Sequence, residues 1–377
     1  MKERAGKLIK NFSGEMTYYS FRPCALPPVP KIEIDQEMQK LLIAAHSKLS
    51  LLDYLSYRIP NHDLFISMCV RKEALVSSQI EGIQCTIDDI FDPSIDANIN
   101  ADVSDVVNYV RAINYAVARL KNFPLCNRLI KDTQAVLMES LRGCYKTPGE
   151  FRISQNWLGG VGSTLKNARY IPPNYKDMLK AMNDLEKFIN CEDNMDPLIK
   201  ASLIHYQFES IHPFLDGNGR LGRLLITLFL IKENLLTYPV LYLSCYLKLN
   251  RQEYYDRMSE IRNSGNFEQW IKFFLKGIVE TAQDATATID KLSALHTKNE
   301  SLLSDSKLKN FLAYLEKTPI ITIPIAAEFL QRSRNTIANY VKTLCEKGIL
   351  KPSSKTGKTI IYSYTAYLDI FRAGTDF

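Results

Sequence analysis

Apolar residues return every third or fourth position through most of this chain, and residues that start or stop helices bound each run. Met38, Leu41, Leu42, Ala45, Leu49 and Leu52 predict one amphipathic helix, closed by Pro60-Asn61. A second spans residues 64–81, and Gly82 stands where a left-handed C-terminal cap belongs. After a polar loop over 92–100, Val103, Val106, Val107, Val110, Ile113 and Val117 open a bundle. It continues through helices expected within 127–141, 175–189 and 198–207. Leu221, Leu224, Leu225, Leu228 and Ile231 mark another helix, and Trp270, Phe273, Phe274 and Ile278 begin a long one running towards Leu295.

The period breaks in three places. Residues 1–34, spaced by Pro23, Pro27, Pro28 and Pro30, read as an irregular extended segment over the surface. Residues 155–173 are rich in glycine, with short β-prone pieces on either side of Lys166-Asn167, and read as a hairpin. From Lys307, Leu308, Phe311, Leu312 and Leu315 form one helix, 325–330 a second and 336–347 a third; Ile349-Leu350 and residues 360–362 read as strands around a turn over 353–358. The fold class is mainly α. The expected domains are a helical N-terminal region (1–100), a catalytic core (101–250), a helical connector (251–300) and a C-terminal module (301–377).

Composition changes this little. With 46% hydrophobic and 23% charged residues the chain is an ordinary soluble protein, and a net charge of +6 permits nucleic-acid contact without arguing for it. The eight cysteines form no CxxC pair, which points to reduced thiols and a cytoplasmic protein. The basic N-terminus has no apolar run behind it and so is no signal peptide. Apolar connector helices would suit a homodimer.

Chemistry concentrates in residues 212–223, HPFLDGNGRLGR, between two helices. Gly217, Asn218 and Gly219 bring backbone N–H groups to the start of the second helix, a site for anionic oxygens. Arg220 and Arg223 are electrostatically misplaced at a helix N-terminus unless an anion joins them, and phosphate is the natural one. Asp216 can hold Mg2+, which bridges a carboxylate to phosphates, and His212 can take a proton near neutral pH. Three rival patterns fail. Gly217, Gly219 and Gly222 match GxGxxG but follow a helix where a strand is required, no GK(S/T) is present, and Glu209/His212 has no second Glu-x-x-His for a di-iron site.

The stretch resembles at every fixed position the Fic family signature HxFx(D/E)GNGRxxR. That resemblance implies a helical bundle moving a nucleoside monophosphate, usually AMP from ATP, onto a protein hydroxyl. It makes His212 the base, Asp216 the Mg2+ ligand, Gly217, Asn218 and Gly219 the anion hole, Arg220 and Arg223 the grips on the outer phosphates, and Phe214 an inward anchor. Ser77 to Gly82, SSQIEG, likewise resembles the family's inhibitory motif (S/T)xxxE(G/N). Ser77 and Glu81 share a helix face, and Glu81 in a last turn opposes the helix dipole and asks for a cation. By resemblance that cation is Arg223, drawn off the γ-phosphate. The hairpin, with Leu165, Lys166, Asn167, Ala168, Arg169 and Tyr170, would then be the flap that docks the target by backbone pairing. Asn250 would reach the base. The C-terminal module resembles a winged helix-turn-helix, with Arg332, Ser333, Arg334, Asn335, Asn339 and Lys342 on its third helix and Lys355 and Lys358 in the wing, serving DNA or protein contact.

The resulting expectation is an autoinhibited, Mg2+-dependent adenylyltransferase acting on a Tyr, Ser or Thr hydroxyl, its own chain included. A DNA-binding regulator with a nucleotide-sensing core, transfer of another nucleotide such as UMP, and removal of AMP stay open. His205, seven residues before His212, is expected in the core.

Overall fold

The computed structural model describes residues 4–13, 16–59, 62–91, 100–139, 145–160, 162–356 and 359–375. The segment expected to be irregular opens with an antiparallel hairpin, β1 (Gly6–Ser13) and β2 (Met16–Pro23), with Leu8 opposite Phe21. Alternation explains it: Tyr18 and Ser20 face inward and are buried, while Leu8, Lys10, Phe12 and Tyr19 face out. The prolines all lie at or beyond the end of β2.

The bundle follows as α1 (Gln36–Ser56), α2 (His62–Ile80), α3 (Ile87–Phe91), α4 (Ala101–Leu120), α5 (Asn127–Leu137), α6 (Tyr175–Asn190), α7 (Pro197–Ile211) and α8 (Asn218–Lys232). Asp35, Asn100, Asn174 and Asp196 cap their helices by accepting backbone N–H groups of the first turn. Apart from half-buried Glu209, α7 is buried on every side from Leu198 to Ile211, as a helix apolar over most of its circumference must be. It packs against α6, α8 and the long α11 and forms the axis of the core. Pro60, Asn61 and the polar loop over 92–99 lie outside the described residues.

Beyond the bundle come α9 (Ser244–Leu249), α10 (Arg251–Ser264) and α11 (Phe267–Ser301). α11 is no mere connector. Trp270 is fully buried, donates its indole N–H to Ser202 O of α7 at 3.0 Å, stacks with His205 and lies tilted against Phe273. Further along, α11 lies against α1. Its apolar face is therefore used within the chain and makes no case for a homodimer.

The C-terminal module holds α12 (Ser306–Lys317), β3 (Ile320–Thr322), α13 (Ile323–Phe329), α14 (Arg334–Glu346), β4 (Lys351–Thr356), β5 (Thr359–Ser363) and α15 (Thr365–Arg372). Its antiparallel sheet runs β3-β5-β4, one strand more than expected. Ile349 and Leu350 are buried and bond back to Leu344 O at the end of α14, so the strand begins only at Lys351. Arg334, Asn335, Asn339 and Lys342 are exposed on α14; the side chain of Lys355, and Lys358 altogether, lie outside the described residues. No described helix is long and apolar enough to cross a membrane.

Candidate functional site

His212 ends α7 in the left-handed region, φ 50°, and turns the chain out of the helix. A non-glycine residue there is held by its surroundings. Arg152 Nε and Asn156 Nδ2 both donate to the His212 carbonyl, at 2.9 and 3.3 Å, and the Arg152 N–H donates to Pro213 O. Phe214 is buried against Phe151. Asn218 accepts from Phe214 N–H and donates to Phe214 O, both at 2.9 Å, so its side chain fastens the loop and only its backbone is left for a ligand. Gly217 is left-handed at φ 78°, and a side chain there would strike Met138. From this turn α8 begins, its first N–H groups without helical acceptors.

Both arginines of α8 are buried. Arg220 lies 3.7 Å from Asp105 and has Nε without a hydrogen-bond partner. Arg223 donates from Nε to Ser77 Oγ at 2.8 Å, and from Nη2 to Ser77 O at 2.8 Å and Glu81 Oε1 at 2.7 Å. Glu81 thus meets Arg223, and Ser77, for which no contact was expected, holds the same guanidinium. Glu81 goes further: its carboxylate lies so close over Gly219 that a Cβ there would collide with it. One carboxylate both grips Arg223 and covers the glycine of the helix start. Gly82 is left-handed at φ 89°, ending α2 as its cap position requires. Behind Glu81, Gln79 donates to Cys85 O and Thr375 O and accepts from Lys248, fixing that end of α2 from three sides.

Charge in the site follows burial and pairing. Burial alone would raise the Glu81 carboxyl, but Arg223 outweighs it and holds it below the usual range. Burial pushes the Glu209 carboxyl up to about 7, opposed by Arg223 and reinforced by Glu81. Its Oε1 has no hydrogen-bond partner and sits where any side chain on Gly222 would have to go. Burial lowers His212 to about 4 against the pull of Glu81, which leaves the imidazole neutral near pH 7. Its Nδ1 has no hydrogen-bond partner. His205 is buried between Gly222 O and the Tyr254 hydroxyl, at 3.0 and 2.9 Å.

The expected hairpin flap is a loop with a single bridge, Leu158 to Tyr170. Turns replace its strands: Asn167 Oδ1 accepts from Thr164 N–H and Trp157 Nε1 donates to Ser163 O. Lys166, Asn167 and Arg169 are exposed, Leu165 and Ala168 half-buried. The Tyr170 hydroxyl is held within the chain, donating to Ser210 O at 2.6 Å, and Arg262 lies 4.2 Å over its ring.

Residues 39–118 match the Fic/DOC family N-terminal model, and residues 124–230 match the Fic/DOC family model. The chain carries a Fic/DOC family N-terminal domain followed by a Fic/DOC family domain. Over 127 residues it is 34% identical to the protein adenylyltransferase Fic of Culex quinquefasciatus and 33% identical to that of Drosophila ananassae. Those stretches are 33% of this chain and 22% of each relative, so the chain spans about a fifth of the length of the curated relatives it matches. Among solved structures, a Fic family protein from Desulfovibrio desulfuricans G20 superposes with a TM-score of 0.58 at 18% identity, over 88% of this chain and 97% of that one. Fic-1 from C. elegans gives 0.51 at 18%, over 68% and 73%. These two likenesses show the fold.

Within the Fic fold, Asp216 is exposed beside the helix start and accepts from the Gly217 N–H at 2.6 Å. No group of three His, Cys, Asp or Glu among the described residues could cage a metal. A lone carboxylate fits Mg2+ here, because that ion takes most of its ligands from water and phosphate. Asn250 joins α9 to α10 and donates its amide to Tyr246 O, so a ligand would meet its side-chain oxygen. Arg152, Asn156, Asp105 and Glu209 were not among the expected site residues. Glu209 carried a sequence signal in its place three residues before His212, and Arg152 in the stretch Pro148-Gly149-Glu150-Phe151-Arg152, which resembles the family's sequence there.

Proposed function

We propose that this Fic protein transfers AMP from ATP to a Tyr, Ser or Thr hydroxyl of a protein, itself included, and that Glu81 holds it inactive. The observation that carries this reading is the Glu81 carboxylate on Arg223 and over Gly219. An anion already fills the place that the cations and free N–H groups of α8 prepare for phosphate. When Glu81 leaves, Gly217, Gly219 and the first turn of α8 receive phosphate oxygens, and Arg223 and Arg220 bind the outer phosphates. Asp216 would hold Mg2+, which neutralises phosphate charge when bound. Neutral His212 takes the proton of the target hydroxyl as its oxygen attacks the α-phosphorus. The P–O bond to pyrophosphate breaks opposite, in line, so that positioning and charge neutralisation supply most of the rate. The cytoplasm is the compartment this reading assigns.

Protein should acquire label from ATP carrying it on the α-phosphate and none from ATP carrying it on the γ-phosphate. Unlabelled ATP should compete better than UTP, GTP or CTP, and EDTA should reduce labelling to background. Better competition by UTP would make it a uridylyltransferase. Loss of AMP from a modified target, with no gain by an unmodified one, would make it a hydrolase.

The exposed cations of α14, together with a Ser333-capped helix start, support a second role for the C-terminal module as a winged helix on DNA. It would then bind duplex with an affinity that falls steeply with salt and weakens on Arg334→Ala/Lys342→Ala. Salt-independent or unchanged binding would leave protein contact as its role.

A further inference from the structure

The N-terminal hairpin and α10 lie outside both regions matched by the family models, residues 39–118 and 124–230. Together with the end of the flap they enclose a groove of about 750 Å³. Its floor is aromatic, with Phe21 packed against Tyr170 at 6.1 Å between ring centroids. Its formally charged lining residues are Lys7, Arg169 and Arg262, all cations. Asp256 reaches Arg169 at 3.5 Å, but both side chains are more than half exposed and the pair is weak. On the rim, Leu8 is 66% and Tyr19 53% exposed, apolar surface left in water on a paired and therefore stiff hairpin.

Backbone hydrogen bonds connect this groove to the flap. Phe21 N–H donates to Ile171 O at 2.8 Å, and Tyr170 exchanges both bonds with Leu158. One backbone bond thus ties the two-stranded hairpin of β1 and β2 to the end of the flap. Tyr170 belongs to both places: its ring forms the groove floor and its hydroxyl is held by Ser210, two residues before His212. A chain lying in the groove is one side chain away from the loop that carries the base.

We propose that this groove docks an extended acidic segment of the protein that is modified, its carboxylates on Lys7, Arg169 and Arg262 and an apolar side chain between Leu8 and Tyr19. Target choice then rests on the hairpin and α10 as well as on the flap. An extended segment suits this open groove, where successive side chains meet its aromatic floor and its cations in turn. The cations add steering and discriminate against basic partners. The proposal rests on the transfer reading above for the identity of the occupant, and its first test is independent of any chemistry.

Fluorescein-labelled dodecapeptides of Glu, Ala and Tyr, and counterparts with Lys for each Glu, would be titrated with the full chain and read by anisotropy. The acidic peptide should bind, the basic one should not, and raising salt from about 50 to about 300 mM should weaken the acidic complex. Lys7→Glu/Arg169→Glu should weaken it by about tenfold or more with the circular dichroism spectrum unchanged. Equal binding of both peptides, an unaffected variant, or tighter binding of oligodeoxythymidylate than of the acidic peptide would each overturn the proposal. In a second arm, Lys7→Glu placed on Glu81→Gly should raise KM for an acidic Tyr peptide by about tenfold while kcat is kept. Discriminating binding without any transfer would leave the groove standing and sink the transfer reading. Transfer without discrimination would do the reverse.

Discussion

Glu81→Gly is expected to raise AMP transfer from ATP to protein by about 10²-fold or more, the scale on which one aligned charge-stabilising donor acts in a phosphate site. Two contacts lead to this figure. Glu81 takes Nη2 of Arg223, and its carboxylate stands over Gly219, so a triphosphate in the productive place would meet a negative charge and find its cation occupied. Replacing Glu81 removes both obstacles. Ser77 still holds Nε and Nη2 of Arg223 and keeps the guanidinium aimed along α8. Folding should suffer little, because the Glu81 side chain is 39% exposed and buried Arg223 keeps both of its hydrogen bonds to Ser77. The check is label transfer from ATP to the chain itself and to a cell lysate, wild type beside Glu81→Gly. Equal labelling by the two would show that Glu81 is not an inhibitor.

The pairing of Glu81 with Arg223, 142 residues apart, was legible only through the resemblance of Ser77 to Gly82 to the inhibitory motif; the helix dipoles said that each needed a partner and not which one. The loop around Gly217 was legible for a similar reason, since a dense polar stretch between two apolar helices has few structural uses. The N-terminal hairpin was obscured by four prolines, which draw attention from the alternation just before them. In the flap, β-prone residues were outweighed by the Asn167 and Trp157 side chains, which bond the local backbone and make turns instead of strands. Asn218 shows another limit. Its type fits an anion hole, but whether its amide faces ligand or backbone depends on the loop's path, and here Phe214 takes both groups. Asp105 and Arg152 reach the site only through tertiary packing, which no local spacing encodes.

His212→Ala on the Glu81→Gly background should abolish the gained transfer, a loss of about 10²- to 10⁴-fold for removal of a general base, while the Kd for ATP stays unchanged. The histidine is directed at the hydroxyl and not at the triphosphate, so binding and chemistry should separate. The pH profile carries a sharper test. Burial lowers His212 to about 4, so the base is already neutral at pH 6 and its acid limb belongs near 4 and not near 6.5. Glu81 opposes that lowering, and its removal should move the limb lower still. Folding follows the same sign: the neutral, half-buried imidazole contributes full stability above pH 6.5 and loses it as pH falls from there towards 4. A second limb near 7 would belong to Glu209, which burial raises to about 7 with help from Glu81 and against Arg223. Glu209→Gln should remove that limb, and Glu81→Gly should shift it down. Transfer surviving His212→Ala, or a lone limb near 6.5 that Glu209→Gln leaves in place, would mean that the proton goes elsewhere.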